Sequence, residues 1–162
     1  MFYFNTDNAF NIHAKILEIS TGKGGVMDVN NIESPLHHIK NDTYYPTFED
    51  KLTHLVFCIN KFHAFTDGNK RTSIALGTFF IIINGLEELA NKFVIEMENI
   101  AVAVADNLID KEMLHEIITS ILNEEDYCES LKLKIVDALQ KVIPNPNQGD
   151  LTFGPKYYLD VL

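Results

Sequence analysis

The stretch His63-Ala-Phe-Thr-Asp-Gly-Asn-Lys-Arg-Thr-Ser73 places an imidazole, a carboxylate, a Gly-Asn turn and two cations between two strongly apolar segments. Polar groups so dense between buried helices are costly to place there without a ligand. Gly68 and Asn69 tolerate unusual backbone angles, so the connector can turn its N–H groups inward while a helix starts near Lys70 or Arg71. Amides at a helix N-terminus bind anions, because unpaired donors and the positive end of the helix dipole converge there. Phosphate is the expected guest. Arg71 can grip phosphate oxygens in a fork, Lys70 adds a point charge, and Asp67 supplies a hard oxygen for Mg²⁺. An imidazole, with a reference pKa of about 6.5, makes His63 a candidate general base for a hydroxyl. The chemistry these types describe is transfer of part of a nucleoside triphosphate to an alcohol.

Helices must position this connector, since apolar spacing is helical nearly throughout and the fold class is all-α. A first helix is expected from Asp7, its cap, to Thr21-Gly22, and a short one over 30–40. From Phe48, apolar residues at Leu52, Leu55, Val56, Ile59 and Phe62 trace one face leading straight to His63. The run Ile74 to Ile83, apolar all round and stopped by Asn84-Gly85, should be the central buried helix. Further helices are expected at 97–108, 111–122 and 127–142, with a break at Pro144-Asn-Pro-Asn-Gln-Gly149. The final segment carries Phe153, Tyr157, Tyr158 and Leu159 and must dock on this chain or another. Residues 1–123 are read as a core and 124–162 as a helix and tail packed on it or on a partner.

Composition narrows the partners. The chain has 162 residues, 46% hydrophobic and 22% charged, which fits one soluble domain. Its formal net charge of −10 argues against nucleic-acid binding and against a helix-turn-helix regulator. Two cysteines, no signal-peptide pattern and no apolar run long enough for a bilayer lead to the expectation of a cytoplasmic protein without a membrane partner. Phe65 reads as a packing anchor, Cys58 as a small core residue, and Thr72 and Ser73 as first-turn caps. Gly22-Lys-Gly-Gly25 reads as a turn rather than a P-loop, and His37, His38 and His54 show no metal-binding spacing.

The connector resembles the signature of the Fic/Doc family, His-x-Phe-x-(Asp/Asn)-(Gly/Ala)-Asn, with Lys70-Arg71 following as in the Doc, or death-on-curing, branch. The likeness extends over residues 11–122 and takes in the 21–28 glycine-rich stretch, Ile32-Glu-Ser34, Asn84-Gly85 and Val104-Ala-Asp-Asn-Leu108. It implies a helical bundle around the central helix, with a short β-hairpin flap at Tyr44, Tyr45, Pro46 and Thr47 that holds a target segment by strand pairing. His63 would be the base, Asp67 the Mg²⁺ ligand, Gly68 and Asn69 the anion hole, and Lys70 and Arg71 the phosphate contacts, with ATP and Mg²⁺ as cofactors. Doc-type proteins are linked to phosphate transfer onto a protein Ser/Thr hydroxyl, the known target being a threonine of elongation factor Tu. A toxin arresting translation and restrained by a separate antitoxin is therefore implied.

Two other readings stand beside this one. Fic enzymes move AMP to a protein hydroxyl with nearly the same residues, and a non-catalytic partner module would keep the fold alone. The self-inhibiting Fic signature is nearly met at Ser120-Ile-Leu-Asn-Glu124, but Glu125 stands where Gly or Asn is required, so inhibition in trans is expected.

Overall fold

The computed structural model describes residues 1–143 and 153–162. The expected break at Pro144 to Gly149 lies outside them. Within the described residues the regular structure is helical: α1 (Thr6–Ser20), α2 (Asn30–His38), α3 (Phe48–Lys61), α4 (Asn69–Ile83), α5 (Ala90–Ala105), α6 (Lys111–Leu122), α7 (Glu129–Gln140) and α8 (Gly154–Asp160). No helix among them is long and apolar enough to cross a membrane.

The starts and stops follow from local chemistry. Asn5, rather than Asp7, caps α1 through a reciprocal capping box with Asn8, and Thr47 does the same for α3 with Asp50. Helix α1 stops at Thr21, which takes the left-handed conformation. A 3₁₀ turn at Glu87–Leu89 feeds directly into α5, so that helix begins well before the expected residue 97. At the end of α6, Glu125 N–H returns to the Ser120 carbonyl and Glu124 adopts φ +56°, so the near-miss inhibitory segment serves as a helix stop.

Helix α4 is the central element, flanked by α3 and α5 and touched by α1 and α8. Ile74, Leu76, Phe80 and Ile81 on it are fully buried. Its closest approach is at Gly77, where an added Cβ would stand 2.8 Å from Val56 and 2.9 Å from Phe93. Helix α3 is locked at both ends. At its start, the buried Lys51 ammonium donates to the Ile39 carbonyl and to Asp42, each at 2.7 Å. At its other end, Asn60 donates to the Ala101 carbonyl, and Lys61 donates to the carbonyls of Val104 and Ala105. A cation there also meets the negative end of the α5 dipole. The residues entering the polar connector are thereby fixed to α5.

The hairpin flap expected at 44–47 is absent. Residues 42–44 form a turn, closed by the Tyr45 N–H to the Asn41 carbonyl and by Asn41 Oδ1 accepting from Thr43. Thr47 is committed to capping α3, and Pro46 has no N–H to give a ladder. Extended pairing among the described residues is confined to one isolated antiparallel bridge, Val26 to Phe65.

Candidate functional site

The connector begins with a strained residue. His63 follows the α3 cap and takes φ +48°, an uncommon conformation for a side chain of this size and worth about 1 kcal/mol or more of strain. Its neighbours hold it. The Phe62 carbonyl accepts from Asn31 Nδ2 at 2.7 Å, and the Ala64 carbonyl accepts from Met27 N at 2.9 Å and Asp28 N at 3.3 Å. Ala64 and Phe65 are fully buried, whereas His63 itself is exposed. The imidazole is thus presented to solvent from a backbone clamped on both sides.

Phe65 anchors the next step. His13 of α1 stacks on its ring, centroids 3.5 Å apart and 14° from parallel, and Phe10 meets it edge-on at 6.1 Å. Asn69 then clasps the loop: its Oδ1 accepts from Phe65 N–H at 3.0 Å and its Nδ2 donates to the Phe65 carbonyl at 2.8 Å. The Asn69 side chain is therefore occupied in shaping the turn, and what it offers an anion is its backbone amide.

Gly68, at φ +80°, is the N-cap of α4, and no side chain caps that helix. The left-handed angle at this point suits a glycine. The first backbone bond of the helix runs from Thr72 N–H to the Gly68 carbonyl at 2.8 Å. Helix α4 therefore begins at Asn69, one residue before the expected start, with its opening turn facing the connector. Thr72 and Ser73, expected as caps, are buried on the inner face instead. The Thr72 hydroxyl lies 2.9 Å from His13 Nδ1, and Ser73 donates to the Lys70 carbonyl.

Asp67 and Arg71 stand at the mouth of this turn as an ion pair of 3.4 Å, with the guanidinium mostly covered and the carboxylate close to half exposed. Asp67 also accepts from Gly68 N–H at 2.6 Å and from Lys23 N–H at 3.2 Å. The 22–25 loop presses on the pair, since a Cβ at Gly22 would lie 2.8 Å from Asp67 Oδ2. Arg71 also lies beside the Phe153 ring, 5.8 Å from its centroid. The described residues hold no cluster of three metal-ligating side chains. Asp67 alone is compatible with Mg²⁺, which usually takes one or two carboxylates and completes its shell with phosphate oxygens and water.

The structure brings together His63, Phe65, Asp67, Gly68, Asn69, Lys70 and Arg71 on one connector and its following turn. It separates Tyr44, Tyr45, Pro46 and Thr47 from them. These residues precede α3, whereas His63 follows it, so about 21 Å of helix intervenes. The segment lying against the connector is 25–28: the Val26 bridge to Phe65 is flanked by Thr66 N–H to the Gly25 carbonyl at 3.0 Å. Val26 and Met27 there are exposed apolar residues.

His13 is the residue that sequence reasoning passed over. It is 5% exposed, its Nε2 has no partner, and burial, helped by Arg71, lowers its pKa from 6.5 to about 4, so the ring is neutral. Its signal was available: position 13 shares the inner face of α1 with Ala9, Ile12 and Ile16. A titratable residue on an apolar helical face was the clue.

Fold and site together define a class, a helical domain that opens an uncapped central helix toward an acid, a guanidinium and an exposed imidazole. The family model that matches is that of the Fic/DOC family, over residues 3–81, which include the whole connector and α4 up to Ile81. Proteins of that family are in general ATP-dependent transferases of phosphate or AMP that use Mg²⁺. The further likenesses at Asn84-Gly85 and 104–108 lie beyond the matched segment. No curated protein and no solved structure matches the chain.

Proposed function

We propose that this site transfers the γ-phosphate of ATP to a serine or threonine hydroxyl of a protein, as Doc-type proteins do. One observation carries the reading: the uncapped start of α4, with Asp67 and Arg71 at its mouth, lies on the same short connector as an exposed imidazole held in a strained backbone. The opening amides of α4 and the Arg71 fork receive phosphate oxygens. Asp67 would hold Mg²⁺, which supplies charge neutralisation of the triphosphate when bound. His63 takes the proton of the target hydroxyl as its oxygen bonds to the γ-phosphorus and ADP departs.

Lys70 stands where Fic sequences have glycine, and a long side chain there favours the reversed triphosphate that turns its γ end to the hydroxyl. The acidic surface and the absence of a basic recognition helix suit a protein target, for which elongation factor Tu is the first candidate, with a separate antitoxin protein restraining the enzyme.

The test uses purified chain, Mg-ATP labelled at either the α or the γ position, and elongation factor Tu. Label from γ-labelled ATP on the target, lost in His63→Ala, is expected. Label from the α position would replace phosphate transfer with AMP transfer. Growth arrest on expression that His63→Ala leaves unchanged would mean that binding, not chemistry, is the activity.

A further inference from the structure

Arg71 receives its second wall from the far end of the chain. Helix α8 packs against α5 and α4, and Tyr157, Tyr158 and Val161 on its inner face are buried. Both Phe153 N–H and Gly154 N–H donate to Glu98 Oε1 of α5 at 2.7 Å, which fixes the entry to α8. Tyr157 donates its hydroxyl to the Ile16 carbonyl of α1 at 3.1 Å, and Arg71 and Ser20 lie beside that hydroxyl. Phe153 stacks on Tyr157, centroids 4.1 Å apart, and turns its ring toward the Arg71 guanidinium. A segment so anchored is a resident part of the core and not a lid resting on it.

We infer that Phe153 and Tyr157 are positioning residues for Arg71, and that they close a side of its guanidinium that Asp67 and the 22–23 loop leave uncovered. Asp67 holds one side of the guanidinium and the 22–23 loop presses from another; the aromatic pair covers a further side. A long, flexible arginine confined in this way is ordered before phosphate arrives, and the ring also attracts the cation. When Mg²⁺ or phosphate draws Asp67 or Arg71 into new contacts, the aromatic wall keeps the guanidinium at the mouth of α4. The opposite role, a tail that blocks the site, predicts the opposite effect of weakening the wall.

The inference rests on the nucleotide reading above, and the experiment separates the two. Mg-ATP binding to the full chain is measured by calorimetry for wild type, Phe153→Leu, Phe153→Tyr and Tyr157→Phe, each also in an Arg71→Lys background. Phe153→Leu is expected to weaken binding by about 3- to 10-fold, with Phe153→Tyr close to wild type because the aromatic face remains. Tyr157→Phe, a substitution that keeps the ring packing, is expected to weaken binding about 2- to 5-fold and stands in should Phe153→Leu fail to fold. In the Arg71→Lys background both losses should shrink below about twofold, which a merely structural role would not produce. Wild-type chain that binds no Mg-ATP overturns the nucleotide reading itself. Wild-type binding with unchanged or tighter affinity in the variants, or with losses that persist without Arg71, overturns the positioning role alone.

Discussion

His63 sits at φ +48°, an angle that glycine adopts freely and that the carbonyl clamps from Asn31, Met27 and Asp28 enforce here. Strain of this kind persists only where the surroundings over-determine it, and it holds the imidazole clear of the buried Ala64-Phe65 pair. His63→Gly should therefore separate stability from activity. Thermal unfolding of that variant is expected at a higher temperature, by roughly 1 kcal/mol of stability, while transfer to the target falls to background. A variant less stable than wild type would show that the left-handed angle carries no cost. His13 works differently, by filling the space beneath the connector with a neutral ring. His13→Phe keeps the stack on Phe65 but leaves the Thr72 hydroxyl without its ring-nitrogen neighbour, and should lower stability by about 1–2 kcal/mol in urea unfolding.

At the scale of elements, the connector is only as well placed as α3 and α4, and these meet where side chains are smallest. Gly77→Ala puts a methyl 2.8 Å from Val56 Cγ2 and 2.9 Å from the Phe93 ring, on a helix that cannot move without shifting Gly68 and Arg71. Stability should fall by roughly 1–3 kcal/mol, and Mg-ATP affinity should fall with it. A destabilised variant that keeps wild-type Mg-ATP affinity would show that α4 yields without moving Gly68 and Arg71; an unchanged melting temperature would contradict the packing argument.

Sequence alone showed α3, α4 and α6 within a residue or two, because their apolar faces are continuous and their stops are marked by Asn, Gly or a polar break. The start of α5 has no side-chain cap to mark it, and the expectation of 97–108 passed over the helical spacing of Leu89, Ala90, Phe93, Val94 and Met97 that the 3₁₀ turn leads into. The connector was legible because consecutive residues build it. What lies on it from elsewhere was not. The 25–28 segment, His13 and Phe153 reach the site through folding, and the hairpin expected at residues 44–47 is a turn that precedes α3.

For the molecule as a whole, the response to acid combines two opposed effects. With 23 acids against 13 bases, protonating carboxylates relieves self-repulsion as pH falls. The buried histidines act the other way. His54 lies on α3 against His38, Cys58, Tyr45 and Lys111, and its pKa is lowered from 6.5 to about 4, first by burial and then by Lys111 and His38. Unfolded, it takes up a proton near 6.5; folded, it stays neutral until about 4. The unfolded state therefore binds more protons between those values, and the contribution of His54 to stability is present above pH 6.5 and lost on descent toward 4. His13 has the same sign. Comparing wild type with His54→Gln cancels the carboxylate effect, which both share. The variant is expected to be less stable at pH 7, and the difference should narrow by roughly 1–2 kcal/mol between pH 7 and pH 4.5 in urea unfolding. Parallel curves across that range would mean that His54 is protonated in the folded protein and that its contacts with Lys111 and His38 do not hold it neutral.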